Sequence, residues 1–270
     1  MKRHELVGQI KAKKSFLCVG LDADIHKLPK HLLKESDPVF AFNREIIDAT
    51  SDLAVAYKPN LAFYESLGVR GWDSLQRTLE YIPSACFTIA DAKRGDIGNT
   101  ADMYARTFFK TYDFDSVTVN PYMGQDSVTP FLQYEGKWAI VLGLTSNPGA
   151  ADFQYYRNEA GQPLYMHAMQ KMAEWGTPEN LMYVVGATRA AELGALRRLL
   201  PEHFFLVPGV GAQGGSLKEV FEHGANPEIG LLVNASRSIL YASGKQDFAD
   251  AARAEAARMQ AEMADLMAKR

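Results

Sequence analysis

Cysteine, paired histidines and long apolar runs are scarce in this chain of 270 residues. The two cysteines, Cys18 and Cys86, lie in separate apolar segments, which excludes a disulfide framework and favours buried free thiols. None of the six histidines has a paired spacing such as HExxH, so no metal site built on histidine is predicted. The longest apolar runs, such as Trp138–Leu144, are far shorter than the roughly 20 residues that cross a membrane. We therefore expect a cytoplasmic protein with neither a disulfide framework nor a membrane span.

A large excess of charge of either sign is also missing. The 29 lysines and arginines nearly balance the 32 aspartates and glutamates, giving a net charge of −3. Such a balance provides no general attraction to nucleic acid or to anionic lipid. Hydrophobic residues make up 47% of the chain, which is enough to bury a large core and excludes intrinsic disorder. An anionic ligand would have to be bound by a few cations placed in one site.

Short and nearly continuous apolar segments recur along the chain, and helical patterns occupy many of the gaps between them. Continuous apolarity is typical of parallel strands that are buried on both faces. Eight such strands with crossover helices predict an α/β fold, a (β/α)8 TIM barrel, with a doubly wound open sheet as the alternative. The predicted strands are residues 16–21, 53–57, 86–90, 116–120, 138–144, 181–186, 204–207 and 230–234.

No linker or change of composition divides the sequence, so residues 1–270 are expected to form a single barrel domain. The longest connection, residues 146–180, follows the fifth strand and is predicted to be an insertion, serving either as a lid or as a packing decoration. Residues 247–269 are predicted to form a C-terminal helix. Its methionines at positions 259, 263 and 267 recur every four residues and are expected to face the core.

Charged residues follow three neighbouring predicted strands, at the barrel edge where functional side chains stand. Asp22 follows the first strand, Lys58 the second, and a segment with Asp91, Lys93 and Asp96 the third. Asp91 and Lys93 are two residues apart, so in an extended chain they project to the same side. An array of alternating charge would keep Lys93 protonated and fix its ammonium before substrate arrives. A salt-bridge network without a catalytic role is the alternative.

The segment after the seventh predicted strand, residues 209–214, matches the pattern GxGxxG. A dinucleotide-binding interpretation is opposed by its late position and by Asn234 and Ala235, which stand where a ribose-binding acid would be expected. A barrel instead builds a phosphate site from the loops after strands seven and eight. The glycine-loop amides and Arg237 would hold a phosphate, and a glycine-rich turn beside a surface arginine is the alternative. Ser146, after the fifth strand, is predicted either to bind a planar polar ligand or to cap the next segment.

Together these segments resemble the orotidine 5′-phosphate decarboxylase family, in its longer bacterial branch. Residues 91–100, which read Asp-Ala-Lys-Arg-Gly-Asp-Ile-Gly-Asn-Thr, are similar to the family signature. The resemblance extends from about Gly20 to Ser238, nearly the whole predicted barrel. The other matching segments, in the expected order, are Leu21-Asp22, Lys58, Asn120-Pro121-Tyr122, residues 146–149, residues 208–211 and Ser236-Arg237-Ser238.

The resemblance implies a carboxy-lyase that converts orotidine 5′-phosphate to UMP in pyrimidine biosynthesis, without a cofactor or a metal. It implies that Lys93 protonates C6 of the pyrimidine as carbon dioxide leaves and that Asp91 lies beside the departing group. Lys58 belongs to the same charge network and, with Asp22, matches a ribose-contacting position. Loss of carbon dioxide leaves a carbanion with no neighbouring carbonyl to delocalise it, so the protein must supply the stabilising charge.

The resemblance also implies a homodimer whose active sites are shared between subunits. Asp96, Ile97 and Thr100 are similar to residues that reach the site from the partner. Ser146 corresponds to a pyrimidine-contacting serine, and Gln213 and Arg237 correspond to phosphate ligands.

Two other functions remain open at this point. The first is a magnesium-dependent sugar-phosphate decarboxylase or aldolase-like enzyme of the same superfamily, which would want a carboxylate in place of Lys58. The second is a catalytically silent nucleotide-binding protein, which would bind UMP without turnover.

Overall fold

The computed structural model describes residues 1–188, 190–210 and 215–269. Its eight strands run parallel in chain order and close into a barrel, which confirms the predicted (β/α)8 class. The strands are β1 (Leu17–Leu21), β2 (Ala56–Pro59), β3 (Phe87–Arg94), β4 (Ser116–Val119), β5 (Trp138–Leu144), β6 (Leu181–Val185), β7 (Phe204–Pro208) and β8 (Leu231–Ala235).

The α-helices lie before, between and after the strands. They are α1 (Arg3–Lys13), α2 (Pro38–Thr50), α3 (Leu61–Glu65), α4 (Val69–Tyr81), α5 (Gly98–Arg106), α6 (Thr129–Leu132), α7 (Ala150–Phe153), α8 (Leu164–Met172), α9 (Ala190–Leu199), α10 (Leu217–Gly224), α11 (Arg237–Leu240) and α12 (Phe248–Ala268). Within the described ranges, no helix is both long and apolar enough to cross a membrane.

Two strands, β2 and β3, differ from the prediction by more than one residue at an end. The amides of Leu53 and Ala54 donate to the carbonyl of Thr50, so these residues close α2 and β2 starts at Ala56 rather than at residue 53. Strand β3 continues to Arg94, four residues past the end of its apolar run. The sequence pattern ended the strand where apolarity ended, whereas the backbone stays extended into the charged segment.

The chain divides into two compact units, and the first comprises Met1–Arg3 with Lys93–Val233. In this unit β4, β5, β6 and β7 pair in parallel, and large aromatic side chains such as Trp138 and Phe205 are fully buried. The predicted insertion after β5 contains α7 and α8. Gln154 anchors it to the strand end, because its side chain accepts from the Thr145 amide and donates to the Thr145 hydroxyl, both at 2.8 Å.

The second unit comprises His4–Ala92 with Asn234–Arg270. Strand β2 pairs in parallel with β1 and with β3, and α2 packs against α4 and α12. The predicted helix at the C-terminus is α12, and two of its methionines, Met259 and Met263, are buried as expected. Met267 is only half-buried, because it lies in the last turn of the helix. Cys18 and Cys86 are free and buried, as predicted.

Candidate active site

Three predicted site residues of the second unit meet at the C-terminal ends of β1, β2 and β3. Lys58 is 5% exposed, and its Nζ donates to Asp91 Oδ2 at 2.7 Å and lies 4.0 Å from Asp22 Oδ1. Parallel pairing sets this arrangement, since Gly20 of β1 is the register partner of Lys58 and Asn60 bridges to Asp91. The structure thus brings together charges that the sequence places 33 and 36 residues from Lys58.

The buried ammonium of Lys58 is held in its charged form by this pair of carboxylates. Burial alone lowers the pKa of a lysine, but Asp91 and Asp22 outweigh it and raise the pKa of Lys58 above its ordinary value. A buried ion pair of this kind adds little net stability relative to apolar packing, because both charges lose their hydration. Its presence at the strand ends therefore favours a role in the site rather than in folding.

Asp22 offers an unused acceptor beside this pair. Its Oδ1 atom is buried and has no hydrogen-bond partner among the described residues, at 4.0 Å from Lys58 Nζ. Buried polar atoms in native proteins are nearly always satisfied, so an orphaned carboxylate oxygen at a strand end suits a ligand hydroxyl.

Lys93 has the most unusual backbone of the predicted site residues. Its φ of 46° lies in the left-handed region, although it belongs to β3, and its side chain is exposed. Its amide donates to the hydroxyl of Thr118 at 2.8 Å. Strain of this kind costs about 1–3 kcal/mol and clusters at functional sites. The prediction that Asp91 and Lys93 project to the same side assumes a regular strand, and the left-handed backbone of Lys93 departs from that regularity.

The start of α5 carries three more of the predicted residues. Asp96 is half-buried, and its Oδ1 accepts from the Ile97 amide at 2.8 Å. Ile97 is 51% exposed, and Thr100, one turn further, is exposed too. The Asn120 amide donates to the Arg94 carbonyl at 2.7 Å, which joins the end of β3 to the residue that follows β4.

Ser146 is half-buried after β5, next to Gly186, which follows β6. A side chain at position 186 would collide with Ser146, because a Cβ there would lie 2.8 Å from the serine Cβ. Ser146 is not the N-cap residue of the next helix, since α7 starts at Ala150 with Gly149 as its N-cap residue.

Of the two predicted phosphate ligands, one lies in the part of the chain that the structure describes. Gln213 lies outside the described residues. Arg237 is exposed at the first position of α11. Gly209, which begins the glycine-rich segment, has a φ of 95°, a conformation that only glycine adopts easily.

Sequence reasoning missed residues that touch the predicted ones. The Thr118 hydroxyl accepts from the Lys93 amide, and the Asn234 side chain donates to the Ser236 hydroxyl. The Tyr241 hydroxyl donates to the Asp22 carbonyl. Thr118 and Asn234 lie on apolar strands and Tyr241 follows a short helix, so no local pattern distinguishes them. Among the described residues, no group of three or more His, Cys, Asp and Glu side chains is arranged to hold a metal ion.

The second unit provides a buried lysine–carboxylate pair and, in Asp22, a carboxylate oxygen with no hydrogen-bond partner among the described residues. The first unit provides an exposed lysine on a strained backbone. An ammonium group such as that of Lys93 can stabilise developing negative charge and deliver a proton.

Comparison with known proteins identifies the same family that the signature resembles. A model of the orotidine 5′-phosphate decarboxylase / HUMPS family matches residues 15–253. The orotidine 5′-phosphate decarboxylase of Phocaeicola vulgatus is 57% identical over 270 residues, covering 99% of each chain. That of Flavobacterium johnsoniae is 56% identical over 270 residues, covering 99% of this chain and 98% of the relative. The solved structure of Leishmania donovani OMP decarboxylase superposes with a TM-score of 0.85 at 35% identity, covering 98% of both chains. This chain therefore belongs to the orotidine 5′-phosphate decarboxylase / HUMPS family.

Proposed function

We propose that this protein decarboxylates orotidine 5′-phosphate to UMP, a step of pyrimidine nucleotide biosynthesis. Relatives of that name align along essentially the whole chain. The observation that carries the proposal is the buried ion pair between Lys58 and Asp91, whose charged atoms are 2.7 Å apart. Asp22 follows the neighbouring strand β1, and Lys93, whose backbone φ is positive, lies two residues after Asp91.

In the proposed reaction the bond between C6 and the carboxylate breaks, and its electron pair stays on C6 as carbon dioxide leaves. The Lys93 ammonium stabilises that charge and transfers one proton to C6, which gives UMP and a neutral amine. The amine then regains a proton from solvent. Asp91 lies beside the substrate carboxylate, and Lys58 compensates the buried charge of Asp91.

Binding is assigned to residues at the other strand ends. Asp22 Oδ1, which has no partner among the described residues, accepts from a ribose hydroxyl. Ser146 contacts the pyrimidine, and Gln213 and Arg237 bind the phosphate. Phosphate binding far from C6 contributes to the rate by orienting the substrate at the reacting centre.

We also propose a homodimer in which Asp96, Ile97 and Thr100 of one subunit complete the site of the other. Supporting this, α5 with its N-cap residue and the segment that follows β4 expose large apolar side chains, which are Ile97 (51%), Met103 (55%), Tyr122 (85%) and Met123 (46%). Large exposed apolar side chains are typical of interaction sites when they lie together. We further propose a cytoplasmic location, which agrees with the two free cysteines. We also propose that the chain acts as one catalytic domain.

The test is a decarboxylation assay of the purified protein with orotidine 5′-phosphate, run with and without EDTA. Conversion to UMP is expected in both, and Lys93→Ala is expected to lose at least about a thousandfold in kcat while still binding UMP. Loss of activity with EDTA would favour the magnesium-dependent alternative. Binding of UMP without turnover would favour the silent nucleotide-binding protein, and near-normal turnover by Lys93→Ala would overturn the mechanism.

A further inference from the structure

Helix α11 carries Arg237 at its first position and is tied to the end of β1 at both of its ends. At its start, Ser236 does not use its hydroxyl to cap the helix. The hydroxyl accepts instead from Asn234 Nδ2 at 3.2 Å, and Asn234 is 8% exposed. Ser236 also packs so closely on Gly20 that a Cβ placed there would lie 1.9 Å from its Oγ. Only glycine at position 20 permits this approach.

At the other end of α11, Tyr241 makes two hydrogen bonds to the segment that carries Asp22. Its hydroxyl donates to the Asp22 carbonyl and accepts from the Asp24 amide, both at 2.9 Å. The tyrosine ring has two further contacts, since it stacks with Phe42 at 6.3 Å between ring centroids and the Lys27 ammonium lies 5.6 Å from its centroid. The hydroxyl therefore has little freedom to leave these two partners.

We propose that Tyr241 and Ser236 are positioning residues that hold Arg237 and Asp22 at a fixed separation, so that one nucleotide engages both. This rests on the proposed function, in which Arg237 binds the phosphate and Asp22 the ribose. Neither Tyr241 nor Ser236 touches the nucleotide in this scheme.

The physical reason is preorganisation. Arg237 is exposed, and a short helix that could move relative to β1 would lose that freedom each time its arginine binds an anion. Anchoring both ends of the helix reduces this cost before the ligand arrives. The hydrogen bonds from Tyr241 to the segment that carries Asp22 matter equally, because the ribose and the phosphate of one nucleotide must be bound at the same time.

The experiment compares affinities for UMP and for uridine, measured by calorimetry, and takes their ratio as the gain from the phosphate. Tyr241→Phe removes both hydrogen bonds and keeps the ring, and it is expected to reduce this gain by about 5- to 10-fold. In an Arg237→Ala background the same substitution should leave the gain unchanged, because the phosphate ligand is already missing. Tyr81→Phe is the matched control, since its hydroxyl donates to the exposed Asp48 at 2.8 Å, and it should behave as wild type.

Ser236→Ala removes the acceptor for Asn234 at the other end of the helix and tests the proposal by a second route. A reduced gain in either variant, lost in the Arg237→Ala background, supports positioning. An unchanged gain in both, or an equal reduction with and without Arg237, overturns it. If the wild-type protein neither binds UMP nor turns over orotidine 5′-phosphate, the proposed function has failed instead.

Discussion

The backbone amide of Lys93 donates a 2.8 Å hydrogen bond to the hydroxyl of Thr118, a residue of β4 that is 1% exposed. Lys93 has a φ of 46°, a conformation that costs a non-glycine residue about 1–2 kcal/mol. The buried hydroxyl thus contributes to holding the proposed proton donor in a strained backbone conformation.

Replacing Thr118 by valine should therefore misplace Lys93 without altering the volume of the core. We expect kcat to fall by about 10- to 100-fold, because small displacements of a reacting group cost that much. Thr118→Ser keeps the hydroxyl and should retain most of the activity. Steady-state kinetics on both variants provides the check, and a Thr118→Val enzyme as active as Thr118→Ser would show that the hydrogen bond does not position Lys93.

The proposed shared site predicts complementation between two inactive chains. Lys93→Ala and Asp96→Ala homodimers should each be inactive. A mixed dimer contains one site with both residues intact, so mixing should restore about a quarter of wild-type activity when the subunits exchange at random. The assay is turnover before and after exchange, with mixed dimers verified by mass spectrometry. Confirmed exchange without recovery would place Asp96 in the site of its own chain.

His203 should make the folded state sensitive to acid. It is 7% exposed, neither ring nitrogen has a partner among the described residues, and burial, with Arg3 and Arg197 nearby, lowers the pKa of His203 to about 4. Between pH 6.5 and 4 the unfolded state therefore binds more protons than the folded state at this position. The stability contribution of the neutral ring is complete above pH 6.5 and falls, on the order of 2–3 kcal/mol, as the pH drops to 4.

His203→Phe keeps an aromatic ring against Tyr183 and removes the titration. We expect urea unfolding of this variant to depend less on pH between 6.5 and 4 than unfolding of the wild type does. His26→Gln, at an exposed position, is the control and should keep the wild-type slope. Identical slopes for the wild type and His203→Phe would contradict the prediction.

Arg197 is predicted to be a major contributor to the stability of the first unit. Its guanidinium is buried, lies 4.0 Å from the Phe205 ring centroid, and donates to backbone carbonyls that few other side chains could reach. The acceptors are the carbonyl oxygens of Gly224, Leu200, Pro201, His203 and Gly230.

Arg197→Met should cost about 3–5 kcal/mol of unfolding free energy, because the buried carbonyls lose their donor. Arg197→Lys should recover only part of this, since an ammonium cannot reproduce the planar fork. Arg198→Met, at the exposed neighbouring position, is the matched control for denaturant unfolding. A loss as small as that of the control would show that water replaces the guanidinium.

Local patterns in the sequence were enough for the barrel. The apolar run Trp138–Leu144 is a strand with the predicted limits, since a central strand buried on both faces is apolar throughout. The same pattern misplaced the start of β2 and the end of β3. Residues 53 and 54 bond back to Thr50 of α2, and β3 continues through charged residues to Arg94.

The sequence by itself determined the order of strands and helices, the charged residues that follow them and the family, because periodicity and signature spacing are properties of adjacent residues. Only the tertiary structure decided that the charged atoms of Lys58 and Asp91 are 2.7 Å apart. It also decided that Lys93 has a left-handed backbone conformation with its amide bonded to Thr118, and that Tyr241, at the end of α11, bonds to the Asp22 carbonyl. These contacts join residues between 25 and 219 positions apart. Strand register and helix packing bring them together, and no local pattern records either.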